Sequence, residues 1–129
     1  MFSYTAVFIA VFCLFQLPIT IAVGMHRNNT GIMYLHQGDE RLLRKIRAHA
    51  NFTETVPITL LAMAAAEYSG ASSGLLLSGG LSLLLGRIIH VIVTYGSGEG
   101  ILRAVSMLFT FVSMISFAVF AVGAQFGTW

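Results

Sequence analysis

Arg47–Pro57 reads "RAHANFTETVP" and runs straight into Ile58–Ala66, "ITLLAMAAA". An arginine, an asparagine and a glutamate thus lead into an apolar run with the look of a membrane span. Arg47, Asn51 and Glu54 stand at i, i+4 and i+7, which places them on one face of a helix. A charged side chain at the centre of a bilayer costs on the order of 3 kcal/mol, so ionisable groups in a span default to a functional reading.

Working outward, the chain has 129 residues, 57% of them hydrophobic and 9% charged. Soluble domains are charged at about a quarter of their positions, and the mean hydropathy here is +0.84. Four apolar stretches stand out, roughly residues 2–25, 48–68, 75–95 and 104–126. Each is about 20 residues, enough for a helix to cross a hydrocarbon core of roughly 30 Å. Backbone groups in lipid must satisfy one another, so the spans are helices. The expected fold is an all-α integral membrane protein, a single four-transmembrane-helix bundle over residues 1–129. The first stretch lacks a basic residue before its apolar run and is too long for a leader, which predicts a retained helix. Cys13 is the only cysteine, so no internal disulfide forms, and it reads as a small apolar residue.

The basic residues are placed unevenly. Arg27, Arg41, Arg44, Lys45 and Arg47 fall between the first two spans, Arg103 at the last connection, and none in "EYSGASSG". The positive-inside rule puts the first and third connections in the cytoplasm and both termini outside. Nothing points to nucleic acid; the nearest anionic surface is membrane lipid. Asp39 is placed to cap the amphipathic run "ERLLRKI". Gly79, Ser82 and Gly86 give the third helix a small-residue face for close packing. Phe2, Tyr4, Tyr68, Phe126 and Trp129 mark the outer boundary.

Two further polar stripes face the first. Arg87 and His90 are i and i+3, with Thr94 beyond, and Arg103 is followed by Ser106, Thr110 and Ser113. Glu54 and Arg87 each lie roughly 10 Å from the cytoplasmic ends of their spans. Matching depth predicts a Glu54–Arg87 pair, either a lock on helix register or part of a site. Arg103 sits at a helix N-terminus, where the macrodipole disfavours a cation and favours a nearby anion; the plainer alternative is snorkelling to headgroups. Arg27 is a basic candidate at the end of the first helix, or a topology anchor. The sum is an electropositive pocket open to the cytoplasm and backed by hydrocarbon. It suits a small anionic molecule meeting an apolar one from the bilayer.

These residues resemble a known family. "IRAHANFTETVP", then "GRIIH", then Arg103 are similar to the MAPEG pattern, membrane-associated proteins in eicosanoid and glutathione metabolism, and most similar to its short bacterial members. The resemblance implies a homotrimer in a bacterial inner membrane, with glutathione as co-substrate between subunits and a lipophilic partner from the bilayer. By motif position it implies that Arg47, Asn51, Glu54 and His90 contact glutathione, with Arg27 (or His26) and Arg87 beside them. It implies that Arg103 stabilises the thiolate in a transferase or peroxidase reaction. Departures from the pattern are Thr55 and Thr94 where some members have tyrosine, and Ala104 where a serine follows the arginine; the last argues against prostaglandin-isomerase chemistry. The alternatives are a non-catalytic trimer binding glutathione or lipid, and a small proton-coupled multidrug transporter. The transporter class wants a carboxylate in the first helix, which here has only Gln16.

Overall fold

The computed structural model describes residues 3–127. They form four helices, α1 Tyr4–Thr30, α2 Glu40–Tyr68, α3 Ser73–Tyr95 and α4 Ile101–Gln125. Local chemistry sets their ends. Helix α1 runs past the expected end at Met25 to Thr30, whose Oγ1 donates back to the His26 carbonyl at 2.8 Å. It stops at Gly31, whose φ of 72° closes the last turn onto the Arg27 carbonyl, the left-handed cap for which glycine has no steric penalty. Asp39 caps α2 as the sequence suggests, its Oδ1 accepting the Leu42 N–H at 2.9 Å. Ser72 does the same for α3 through Leu75.

Helices α1, α3 and α4 are each long and apolar enough to cross a membrane. Helix α2 is longer, but its first half carries the charges. They stay exposed or half-buried. The helix packs on all three others, whereas α1 and α4 do not meet. The buried apolar core runs along this hub: Phe8 and Phe12 from α1, Phe52, Val56 and Met63 from α2, Leu76 and Leu83 from α3, Phe117 from α4. Phe12 and Phe15 both meet Phe52 edge-on, at centroid distances of 6.1 and 5.5 Å. Lipid tails are as apolar as these side chains, so the bundle is held by fit and by internal polar bonds. The small face of α3 supplies both. Gly79 lies under Phe117, Gly80 under Phe8, and Gly86 against the backbone of Ser106. Ser113 Oγ donates to the Gly79 carbonyl at 2.8 Å and Ser82 Oγ to that of Phe109 at 3.0 Å.

The end of the bundle at the α2–α3 turn is tied by a residue that the sequence reading passed over. The Glu67 carboxylate accepts the backbone N–H groups of Ser3, Tyr4 and Thr5 at 3.0, 3.0 and 2.9 Å. The end of α2 thereby caps the start of α1, where a negative charge is favoured. Tyr68 and Phe126 are 81% and 79% exposed at this end, with Tyr4 half-buried; Phe2 and Trp129 lie outside the described residues. At the opposite end the connections meet, and the polar stripes face inward.

Candidate functional site

The centre of the polar layer is Arg87, 1% exposed. Its Nη1 donates to Asn51 Oδ1 and, at 3.2 Å, to Thr55 Oγ1; its Nη2 donates to Thr110 Oγ1 and contacts Met107 Sδ at 3.4 Å. All these partners are neutral. The expected Glu54–Arg87 pair does not form: Glu54 points outward and is exposed, and among the described residues the one salt-bridge-range contact of a carboxylate is that of Asp39 with the His26 ring. The reason is angular. Residues 51 and 55 are about 40° apart around a helix and share an edge, while 54 is set about 60° from 51 on the other side. Depth matched; azimuth did not. Thr55, a departure from the family pattern, is thus one of the hydroxyls that hold Arg87.

His90 is 2% exposed one turn further along α3. Its Nδ1 lies 3.5 Å from Thr94 Oγ1, and its Nε2 is buried without a partner. Ser106, Thr110 and Ser113 on α4 are fully buried. Their hydroxyls are spent on the Arg103, Ser106 and Gly79 carbonyls, so that stripe packs the helices and holds Arg87.

Above this layer, at the end where the connections meet, a cleft of about 200 Å³ opens. Arg44, Arg47, Arg103, Glu40, Glu99 and Thr94 are among its lining residues. The α3–α4 connection forms one wall. Arg103 Nη1 donates to the Gly98 carbonyl at 3.1 Å and Arg44 to that of Gly96; Gly98, at φ 76°, makes the turn that presents its carbonyl. Each guanidinium has five N–H groups, so these bonds orient the cations without exhausting them. Arg47 makes no hydrogen bond or ion pair among the described residues. Arg103 also lines a second, more open depression with Glu99, Gly100, Ala104 and Met107. One arginine therefore borders both a polar cleft and a depression that includes the apolar side chains of Ala104 and Met107.

The structure brings Arg47 and Arg103 to the cleft and joins Asn51 to Arg87, with His90 buried behind Thr94. Glu54 and Arg27 lie elsewhere. Arg27 Nη1 turns back onto the carbonyls of Ile32, Met33 and Leu35 at 3.1, 3.1 and 3.0 Å, which shapes the α1–α2 connection. Sequence reasoning missed Arg44, Glu40 and Glu99 as cleft residues. Arg44 sits one turn before Arg47, a spacing that could have flagged it. Outside the helices, Asp39 is held below the usual carboxylate range by the Leu42 N–H and by His26. The His26 ring spans from Asp39 Oδ2 at 2.8 Å to Lys45 Nζ at 3.1 Å. A family model described as the MAPEG family matches residues 5–123 of the chain. No curated protein and no solved structure matches it.

Proposed function

Because the chain belongs to the MAPEG family, matched over residues 5–123, a family of glutathione-related membrane transferases and peroxidases, we propose that it activates the glutathione thiol for attack on a lipophilic molecule. The observation that carries this reading is the position of Arg103, on the wall shared by the polar cleft and the depression with Ala104 and Met107. A hydrophilic thiol and a membrane-borne electrophile would meet at that residue.

The lining suits glutathione in charge. Glutathione carries two carboxylates and one ammonium; the cleft carries Arg44, Arg47 and Arg103 against Glu40 and Glu99. Arg47, without a partner of its own, is free to take a carboxylate bidentately. Asn51 spends its carbonyl on Arg87 and keeps its two amide N–H donors. Arg87 is a positioning residue for Asn51, and His90 backs Thr94 at the cleft floor.

A free thiol has a pKa near about 8.5, while the thiolate is the nucleophile. A guanidinium at the sulfur favours the charged form, and each unit of lowering corresponds to about 1.4 kcal/mol. Arg103 stays protonated throughout. The thiolate sulfur forms a bond to the electrophilic carbon, and the leaving group departs with its electron pair. With a hydroperoxide the sulfur takes the terminal oxygen to give the sulfenic acid, and the alkoxide leaves and is protonated by water; the sulfur of a second glutathione then attacks the sulfenic sulfur, and the disulfide forms as that oxygen departs as water.

Glu54 supports a homotrimer. A bare carboxylate roughly 10 Å along a span is expensive against acyl chains, so its exposed face calls for cover by another subunit. The basic connections support a cytoplasmic-side cleft by the positive-inside rule, and the resemblance to short bacterial members supports an inner membrane.

The test is a difference ultraviolet titration of the detergent-purified protein with glutathione, following thiolate absorbance, beside Arg103→Ala. A saturable thiolate signal in the native protein, lost in the variant while helicity and oligomer size are kept, is the expected result. A signal of equal size in Arg103→Ala would remove Arg103 from the mechanism.

A further inference from the structure

A second cationic cleft lies on the other side of the α2 start, with a volume of about 310 Å³. Arg41, Arg44, Lys45 and Tyr95 line it, and no carboxylate does. That sets it apart from the thiol cleft, which mixes three arginines with two glutamates and shares only Arg44. Of the carboxylates next to it in sequence, Asp39 is engaged by the Leu42 N–H and His26, and Glu40 lines the thiol cleft.

The arrangement is electrostatically unfavourable by itself. Arg41, Arg44 and Lys45 stand at i, i+3 and i+4, so like charges are neighbours on one helix surface. All three fall in the first two turns of α2, where the helix dipole opposes cations and favours an anion. Arg44 gives one donor to the Gly96 carbonyl and Lys45 one to His26 Nδ1 at 3.1 Å; Arg41 is exposed and gives none. Most of their N–H groups remain free. A fourth, independent feature points the same way. The Tyr95 hydroxyl is shielded from solvent and has no hydrogen-bond partner, although buried polar groups are nearly always paired. Three cations and an unused phenolic donor on one cleft match a tetrahedral oxyanion.

The depth selects the ligand. Tyr95 is the last residue of α3, a membrane span, so the cleft stands at headgroup level, where tyrosines collect and basic pockets between helices take anionic lipid. We propose that Arg41, Arg44, Lys45 and Tyr95 bind the phosphate oxyanion of a phosphate ester, carried by a lipid headgroup or by a soluble molecule.

The experiment is native mass spectrometry of the full chain, released from detergent, titrated with phosphatidylglycerol and with phosphatidylcholine, beside Arg41→Gln and Tyr95→Phe. Inorganic phosphate is titrated in parallel by calorimetry. Arg44 is left intact because it also lines the thiol cleft. The expected result is preferential retention of phosphatidylglycerol, reduced about fivefold by Arg41→Gln, the loss of one interfacial cation, and also reduced by Tyr95→Phe. Retention that survives excess inorganic phosphate assigns the site to a headgroup. Displacement by inorganic phosphate, with measurable heat, assigns it to a soluble phosphate. Equal retention of both lipids without phosphate heat, or preference unchanged in both variants, overturns the proposal. None of these readouts involves glutathione, so the result is separable from the thiol reading.

Discussion

Arg87 is a buried cation whose partners are all neutral, and that makes its two sides unequal. Removing the charge removes its desolvation cost along with its bonds. Removing the Asn51 acceptor keeps the buried cation and leaves it only the Thr55 and Thr110 hydroxyls and Met107. Arg87→Met is therefore expected to shift unfolding in denaturing detergent by no more than about 1 kcal/mol, while Asn51→Leu costs about 1.5–3 kcal/mol, the worth of a hydrogen bond to a charged group. Glutathione affinity should fall in both, because Arg87 holds the Asn51 carbonyl. Equal destabilisation by the two changes would show that Arg87 is kept for stability. Asp39 gives a pH dependence at the same scale. Its folded pKa is depressed by the Leu42 N–H and by His26. Its contribution is thus complete above the unfolded value of about 3.9 and is lost as pH falls through the lower folded value. Hydrogen exchange of the first α2 amides should stay slow down to about pH 4 and quicken below it. In Asp39→Asn that acid step should vanish, since an amide caps a helix without titrating.

At the level of elements, α3 and α4 meet where glycine lets them. A Cβ on Gly86 would sit 2.8 Å from the Ser106 carbonyl oxygen and 3.1 Å from Thr110 Oγ1. Backbone cannot swing aside as a side-chain tip can, so Gly86→Ala must push α4 outward. Overpacking of this kind costs about 1–3 kcal/mol, and here it also moves Thr110 off Arg87 and shifts Arg103. Gly24, mid-helix in α1 with nothing within 4 Å, is the control: Gly24→Ala should stabilise by up to about 1 kcal/mol through helix propensity. Unfolding of both variants checks the pair, and similar effects would refute the close-packing account. Much at this scale was legible beforehand. The Gly79–Gly86 face and the Asp39 cap follow from spacing and turn chemistry within one segment. The Glu54–Arg87 pair was misread because depth along two helices is readable from sequence while rotation about them is not. Glu67 was missed for a related reason, since its partners are backbone groups of Ser3, Tyr4 and Thr5, which no side-chain pattern reveals.

For the whole molecule, the decisive residue is Glu54. It belongs to the motif that led into the site, yet in the single chain it lies on an exposed face shared with Ile58 and Leu61, 53% and 65% exposed. Apolar neighbours are content in lipid; the carboxylate is not. If a neighbouring subunit covers this face, the cost of the charge is relieved only in the assembly, and the subunit's own fold owes Glu54 nothing. Had Glu54 paired with Arg87, its loss would have stranded a buried cation and damaged the subunit itself. The geometry predicts the opposite pattern. Glu54→Gln should leave helicity and subunit insertion intact, while trimer abundance or glutathione-dependent thiolate absorbance falls by about tenfold, the equivalent of about 1.4 kcal/mol. Light scattering on the detergent-purified protein reads the first and the thiolate titration the second. Glu54→Leu carries the same argument further: with no charge to shield from acyl chains the drive to cover this face is lost, so trimer abundance should fall at least as far as in Glu54→Gln, and thiolate formation with it. A Glu54→Gln protein that assembles and forms thiolate as the native chain does would mean that the carboxylate faces neither subunit nor ligand, and the trimeric reading of this face would fall.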